Sequence, residues 1–96
     1  MTPMKILVVE DNPISRKLTR LALETEGFGV IEAANGQSAI DSVMRDHPDL
    51  ILQDLLLPDL DGFELVHRLH ELTQAERVPI LALMGLIAAG DDTGDD

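Results

Sequence analysis

Three carboxylates that follow two short apolar runs are the residues best placed to do chemistry. Glu10 and Asp11 follow the run Ile6–Val9, and Asp54 follows the run Leu50–Gln53. Each run is bounded by turn residues and followed by a helical pattern, which is typical of buried parallel strands. Parallel strands end along one edge of a sheet, where open α/β folds bind ligands. We therefore expect the three side chains to share one crevice.

A crevice that holds three carboxylates needs a cation. At an effective dielectric constant of about 20, each pair of like charges held about 4 Å apart costs roughly 4 kcal/mol. The elements that position Glu10, Asp11 and Asp54 must therefore also leave room for a bound ion.

Four strands and three helices are predicted to position these carboxylates. The strands are predicted at Lys5–Glu10, Phe28–Ala33, Leu50–Asp54 and Val78–Met84, the second at a sheet edge. The first helix has Asn12 as its cap, Pro13 at its first position and Gly27 as its stop. The second helix opens at Asn35–Gly36 and closes near His47–Pro48, and the third follows the turn Pro58–Gly62.

Each predicted helix carries an apolar stripe at helical spacing. The stripes are Ile14, Leu18, Leu21 and Ala22 on the first helix; Ala39, Ile40, Val43 and Met44, inward, on the second; and Phe63, Val66 and Leu69, with Leu65 and Leu72 as further candidates, on the third. The alternation of strands and helices predicts a parallel sheet with right-handed crossovers. We expect one domain over residues 1–89 and a disordered acidic tail over residues 90–96.

Composition excludes several classes of function. The chain has 96 residues, 45% of them hydrophobic, which suffices for one core and not for a second. A formal charge of −11 argues against nucleic-acid binding by this segment, because phosphate backbones attract clustered Lys and Arg. The absence of Cys excludes disulfides and thiolate sites. No apolar run reaches the ~20 residues of a membrane span and no leader opens the chain, so we expect a soluble, cytoplasmic protein.

Three stretches in order along the chain resemble the receiver domain of two-component response regulators. They are KILVVEDN at residues 5–12, DLLLPDLDG at residues 54–62 and VPILAL at residues 78–83. The resemblance implies a flavodoxin-like, doubly wound α/β fold with strand order 2-1-3-4. It further implies a receiver that is truncated after the fourth strand, lacking the usual fifth strand and fifth helix.

The resemblance also assigns roles to the carboxylates. Asp54 would be the phosphoacceptor, taking a phosphoryl group from a histidine kinase or a histidine phosphotransfer protein. Asp11 would bind Mg²⁺ directly with help from Glu10, and Asp54 and the backbone carbonyl of Leu56 would be further ligands. These roles agree with the preference of Mg²⁺ for oxygen ligands and with the modest demands of phosphoryl transfer. Such a module is a signalling domain, which at most catalyses its own phosphorylation and dephosphorylation.

Two departures from the receiver pattern affect this assignment. Met84 occupies the position of the usual Thr or Ser switch residue, and a thioether cannot donate a hydrogen bond. The usual Lys at the end of a fifth strand has no counterpart, because Lys5 and Lys17 are the only lysines. Loss of that cation would cost about 1–4 kcal/mol near a phosphoryl group. Gln53 replaces an apolar residue and should direct its amide to the face opposite Asp54, where it needs a hydrogen bond.

The basic residues Arg16, Lys17 and Arg20 on the first helix allow two interpretations. They form a solvated face with ion pairs to Glu24, or they dock a kinase or phosphotransfer partner. The resemblance favours docking, with Pro13 and Ile14 extending the same surface.

A truncated receiver would leave apolar surface and a strand edge exposed. About 300–500 Å² of bare apolar surface forgoes roughly 8–12 kcal/mol of burial, which approaches the ~5–15 kcal/mol stability of a typical domain. We therefore predict a homo-oligomer formed by pairing of the exposed edge strand or by segment exchange. The competing hypothesis is a phosphorylation-impaired, receiver-like module that acts through constitutive self-association. A phosphohydrolase of another doubly wound family is weaker, because no Asp-x-Asp motif follows a strand.

Overall fold

Four short strands and three helices alternate along the chain in the computed structural model, which describes residues 2–83. The elements are β1 (Lys5–Val9), α1 (Pro13–Thr25), β2 (Gly29–Ala33), α2 (Gly36–Asp46), β3 (Leu50–Asp54), α3 (Gly62–Leu72), a 3₁₀ turn (Gln74–Glu76) and β4 (Ile80–Leu83). The predictions made for Met84, for the remainder of the domain to residue 89 and for the tail at residues 90–96 lie outside the described residues.

The strands form one parallel sheet in the order β2-β1-β3-β4. This is the predicted doubly wound, flavodoxin-like arrangement, and within residues 2–83 it has no fifth strand. Val9 at the end of β1 is paired with Gln53, the residue before Asp54. The register therefore places the carboxyl ends of β1 and β3 side by side.

Local signals in the sequence explain where the helices begin and end. The Oδ1 atom of Asn12 accepts the backbone N–H groups of Ile14 and Ser15, at 2.9 and 3.0 Å. These N–H groups have no acceptor within the helix, so the cap satisfies them. Asn35 forms a reciprocal capping box with Ser38 at the start of α2. Gly27, with φ of +94°, ends α1 in a conformation that favours glycine.

The hydrophobic core lies on the face of the sheet covered by α2 and α3. Its buried members come from alternate positions of the strands and from one side of each of these two helices. They are Leu7, Val9, Ala33, Ala39, Val43, Ile51, Leu65, Leu69 and Val78. The predicted inward positions of Ala39 and Val43 are confirmed, and Leu65 and Leu69 of the stripe on α3 are also buried.

Met44, which was predicted to face inward, does not, and Phe63 and Leu72 of the apolar stripe on α3 are also exposed. The side chain of Met44 is 63% exposed and that of Phe63 is 72% exposed. Ala39 and Val43 already occupy the inner side of α2, which leaves Met44 at the margin of the stripe. Phe63 lies in the first turn of α3, and the inner positions of that helix belong to Leu65 and Leu69.

The apolar stripe of α1 does not face the core either. Ile14, Leu18 and Leu21 are 65%, 55% and 43% exposed, and Ala22 is also exposed. Within the described part of the chain α1 packs only against β1 and β2. Ser15 is its one buried residue, so the stripe lies to the side of the contact with the sheet.

The segment between α3 and β4 contains a 3₁₀ turn at Gln74–Glu76. Thr73 is buried, and its hydroxyl donates a hydrogen bond of 2.8 Å to the carbonyl of Leu69. Arg77 ends the turn with φ of +54°. A backbone in this conformation reverses direction sharply and leads the chain into β4.

Candidate functional site

The structure brings Glu10, Asp11 and Asp54 together at the carboxyl ends of β1 and β3. One oxygen from each side chain can be chosen such that all three lie within 4.8 Å of one another. Glu10 and Asp54 are buried, whereas Asp11 is exposed. The predicted crevice is therefore present, with two carboxylates inside it and one at its mouth.

Glu10 is fixed in this crevice by the start of α1. Its Oε2 atom accepts the backbone N–H of Asn12 at 2.9 Å, and its Oε1 atom lies 3.4 Å from the hydroxyl of Ser15. The guanidinium of Arg16 donates to the backbone carbonyl of Glu10 at 2.9 Å. The cap that begins α1 therefore also sets the orientation of a site carboxylate.

Burial raises the pKa of the Glu10 carboxyl to about 7 from its ordinary value of 4.5. The backbone N–H of Asn12 acts in the opposite direction, while the hydrogen bond and negative charge of Asp54 raise the pKa further. Burial and the negative charge of Asp54 therefore both favour the protonated form of Glu10. A divalent cation could take the place of that proton, because it would offset the same repulsion.

Asp54 is linked to the loop that follows β3. Its Oδ1 atom accepts the backbone N–H of Leu56 at 2.9 Å. The N–H of Leu55 donates to the carbonyl of Leu83 at 2.7 Å, which ties the start of the loop to β4. Leu56 lies beside the proposed phosphoacceptor, and its role as a ligand through its carbonyl stays a prediction.

Gln53 behaves as its position in the sequence predicts. Its amide points to the face opposite Asp54, where Nε2 donates a hydrogen bond of 2.9 Å to the carbonyl of Gly62. The side chain is fully buried, and its Oε1 atom has no hydrogen-bond partner within residues 2–83. Gln53 thereby joins β3 to the first residue of α3.

The basic residues of α1 are largely engaged within the domain. Arg16 and Arg20 both contact Glu32 of β2, through Nε–Oε distances of 3.1 and 2.8 Å. Arg20 also forms the predicted ion pair with Glu24, at 3.2 Å. Lys17 is exposed, as are Pro13 and Ile14. The ion pairs of Arg16 and Arg20 with Glu32 were not predicted from the sequence, because they depend on the position of α1 over β2.

A second concavity lies between α3 and β4, away from the carboxylates. It has a volume of about 490 Å³, and His70, Arg77 and Pro79 are among its lining residues. None of the three site carboxylates lines this concavity, so it is separate from the acidic cluster. None of the helices in the described part of the chain combines the length and apolarity needed to cross a bilayer.

The chain matches a known family along most of its length. The model of the response regulator receiver domain matches residues 6–89. An uncharacterized 14.6 kDa protein of Leptolyngbya boryana is 42% identical over 83 residues, covering 86% of this chain and 63% of that protein. The polar-differentiation response regulator DivK of Brucella anthropi is 33% identical over 90 residues, covering 94% of this chain and 73% of DivK.

A solved structure with a related site supports the same assignment. It is the receiver domain of a sensor histidine kinase from Pseudomonas aeruginosa PAO1, which has a magnesium ion coordinated in its active-site cleft. The identity is 36% and the TM-score is 0.79, over 94% of this chain and 74% of that one.

Fold, site and family match together identify a receiver domain with three clustered carboxylates at the carboxyl ends of its strands. The chain belongs to the response regulator receiver domain family. Receiver domains are modules of two-component signalling; they bind Mg²⁺ in an acidic pocket and interact with histidine kinases or phosphotransfer proteins. This chain spans less than two thirds of the Leptolyngbya boryana relative, at 63% of its length.

Proposed function

We propose that this receiver domain accepts a phosphoryl group on Asp54 in the presence of Mg²⁺. The observation that carries the proposal is the convergence of Glu10, Asp11 and Asp54 within 4.8 Å. Three carboxylate oxygens suit a hard divalent cation. Burial, and after it the hydrogen bond and negative charge of Asp54, raise the pKa of Glu10, and a bound cation would offset the part due to charge. The ligands would be Asp11, Asp54 and the carbonyl of Leu56, with Glu10 assisting.

Each site residue has a distinct part in the proposed transfer. A carboxylate oxygen of Asp54 attacks the phosphorus of a phosphohistidine donor, the P–N bond breaks, and the donor imidazole leaves. The N–H of Leu56 fixes the Oδ1 atom of Asp54 and so orients the nucleophile. Bound Mg²⁺ would screen the charge of the phosphoryl oxygens from the carboxylates.

The donor is expected to be a histidine kinase or a histidine phosphotransfer protein that docks beside α1. Lys17 is the clearest probe of this surface, because Arg16 and Arg20 are held by Glu32. Replacement Lys17→Ala should slow transfer from a protein donor and spare reaction with acetyl phosphate. The matched control is Arg68→Ala on the exposed side of α3. Equal loss with both donors would contradict a docking role for Lys17.

The remaining parts of the proposal concern output and location. Because Met84 cannot donate a hydrogen bond from its side chain, we expect the change that follows phosphorylation to differ from that of a receiver with Thr or Ser there. Any catalysis would be limited to the phosphorylation and dephosphorylation of Asp54 itself. We place the module in the cytoplasm, where its kinase partners would present their phosphohistidine.

A second candidate function is constitutive self-association without phosphorylation. Two observations favour it: β4 pairs only with β3 among the described strands, and Leu81 and Leu83 of β4 are exposed. An unpaired strand edge is a template for another chain. In this alternative, the carboxylates are present but accept no phosphoryl group. Copies of the chain associate through pairing of the β4 edge or through segment exchange.

Phosphorylation by a small donor separates the two candidates. The chain is incubated with acetyl phosphate and Mg²⁺, and its intact mass is measured beside that of Asp54→Asn. We expect the parent to gain one phosphoryl group and the variant to gain none. Beryllofluoride, a phosphoryl mimic, should bind the parent only with Mg²⁺ present. An unmodified parent that also fails to bind beryllofluoride would overturn the proposal and favour the module that only self-associates.

A further inference from the structure

The loop between β3 and α3 determines where the Leu56 carbonyl lies. The side chain of Leu56 is 60% exposed, so its own packing does little to fix the loop. Near Asp54 the loop is held by the hydrogen bond from the Leu56 N–H. Near α3 it is held by the hydrogen bond that Gln53 donates to Gly62, and a Cβ atom on Gly62 would overlap the backbone of Leu55. The segment between these anchors needs a further contact.

Asp59 supplies that contact by reaching the start of α2. Its Oδ1 atom accepts the N–H of Gly36 at 2.8 Å and its Oδ2 atom accepts the N–H of Gln37 at 3.1 Å. Both N–H groups belong to the first turn of a helix and have no acceptor within it. One carboxylate therefore satisfies two helix donors that lie 23 and 22 residues away in sequence.

An apolar contact accompanies this polar one. A Cβ atom built on Gly36 would lie 2.5 Å from the Cδ1 atom of Leu60. The start of α2 and the loop are thus in direct contact, and the absence of a side chain at Gly36 permits it. Leu60 also packs against the hydrophobic core. Asp59 and Leu60 together attach the loop to a helix that is itself anchored in the core.

The charge of Asp59 is maintained by the same hydrogen bonds. The N–H of Gly36 is the largest cause that lowers the pKa of the Asp59 carboxyl from its ordinary value of 3.8, and the N–H of Gln37 adds to the effect. The positive end of the helix dipole favours an anion at this place. The Asp59 carboxyl therefore stays ionised to lower pH than an ordinary aspartate does.

We infer that Asp59 is a positioning residue for the metal site, because it holds the β3–α3 loop, which carries the proposed ligand Leu56, against the start of α2. The inference rests on the proposed function, because it concerns the affinity of that site. Without Asp59, the loop would be less ordered in the absence of the metal. Binding of Mg²⁺ would then have to order it, and the entropy lost in doing so would lower the affinity. The expected increase in the Mg²⁺ dissociation constant is about three- to tenfold.

The test compares Mg²⁺ affinity in variants of the full chain. Asp59→Ala removes both acceptors, whereas Asp59→Asn keeps one oxygen and should restore part of the affinity. The control is Asp41→Ala, which removes one carboxylate from the exposed side of α2 and its hydrogen bond from the Gln37 side chain, while both backbone donors to Asp59 remain. A second readout that needs no metal is amide hydrogen exchange at Gly36, Gln37 and Leu56.

We expect Asp59→Ala to bind Mg²⁺ more weakly than Asp41→Ala, with Asp59→Asn in between and faster exchange at Leu56. Affinity in Asp59→Ala within twofold of the parent, or equal to that of Asp41→Ala, would overturn the inference alone. If Asp59→Ala does not fold, the affinity of Asp59→Asn for Mg²⁺ is compared with those of the parent and of Asp41→Ala instead. An affinity of Asp59→Asn equal to both would then overturn the inference. A parent chain that binds no Mg²⁺ would overturn the proposed function and, with it, this role for Asp59.

Discussion

The two faces of the sheet are packed very differently. Beneath α2 and α3, Leu7, Ile51 and Leu69 are completely buried. On the α1 side, Leu18 and Leu81 remain exposed, because α1 packs only against β1 and β2 within residues 2–83. Because stabilisation scales with the apolar area that is buried, such a sheet gains most of its stability from the continuous core beneath α2 and α3.

This difference matters for the site because the acidic crevice draws on both faces. Successive residues of a strand point to opposite faces. Asp54 therefore belongs to the α1 side, whereas its neighbour Gln53 is buried beneath α3 and bonded to Gly62. The packed face supports the position of Asp54, whereas the α1 face is only partly covered within residues 2–83.

The largest expected effect is a difference in the free energy of unfolding between two single variants, each of which truncates one leucine, on opposite faces of the sheet. Leu69→Ala removes a fully buried side chain, and we expect a loss of about 2–5 kcal/mol in the free energy of unfolding. Leu18→Ala removes a side chain that is 55% exposed, so its cost should stay below about 1 kcal/mol. Urea unfolding of the two variants measures both values. Equal costs would mean that the α1 stripe is covered in solution.

A smaller effect should appear in the pH dependence of stability, through Glu10. Its pKa in the folded state is about 7, above the ordinary 4.5, so the folded state binds the proton more tightly. The resulting stabilisation is complete below about pH 4.5 and is lost as the pH rises through about 7.

Unfolding experiments between about pH 5 and 8 without Mg²⁺ measure this contribution. The variant Glu10→Gln should lack it, and the difference between the two profiles isolates Glu10 from the other carboxylates. Parallel profiles for parent and variant would contradict a raised pKa. Added Mg²⁺ should stabilise the parent most above about pH 7, where Glu10 is ionised.

The smallest effect expected is on association through the open face. Leu81→Lys places a charge on the exposed side of β4, and two such charges would repel each other across an edge-paired dimer. We expect any self-association to weaken by about tenfold, which corresponds to about 1.4 kcal/mol. Sedimentation over a range of concentrations measures it. Phe63→Lys is the control, because Phe63 is equally apolar, 72% exposed and remote in sequence from β4. The same shift in both variants would exclude a specific role for the β4 edge.

Sequence patterns predicted the elements and the convergence of the carboxylates well. Short apolar runs that are each followed by a helical pattern predict parallel strands. Because parallel strands have their carboxyl ends at the same edge of the sheet, the acidic residues at those ends are predicted to lie together. Gln53 was also predictable, because alternation along a strand fixes the face to which a residue points. The resemblance to receivers supplied the strand order, which local patterns alone leave open.

The errors arose where a second element had to be known. Periodicity identifies the stripe of Ile14 and Leu18 on α1, but it does not say whether a neighbour covers that stripe. The ion pairs of Glu32 with α1 and the hydrogen bonds of Asp59 with α2 join residues distant in sequence. An acidic residue in a turn beside Pro58 is ordinary, so nothing in the sequence distinguished Asp59.

Magnesium titration of the parent chain beside Asp11→Asn, followed through the amide signals of the three carboxylate residues, tests the account most directly. We predict that one Mg²⁺ binds the parent and shifts the signals of Glu10, Asp11 and Asp54 together. Asp11→Asn should weaken binding by at least about tenfold, because it removes the charged ligand at the mouth of the crevice. A parent whose three signals do not respond to Mg²⁺, or an Asp11→Asn variant with unchanged affinity, would contradict a shared metal site.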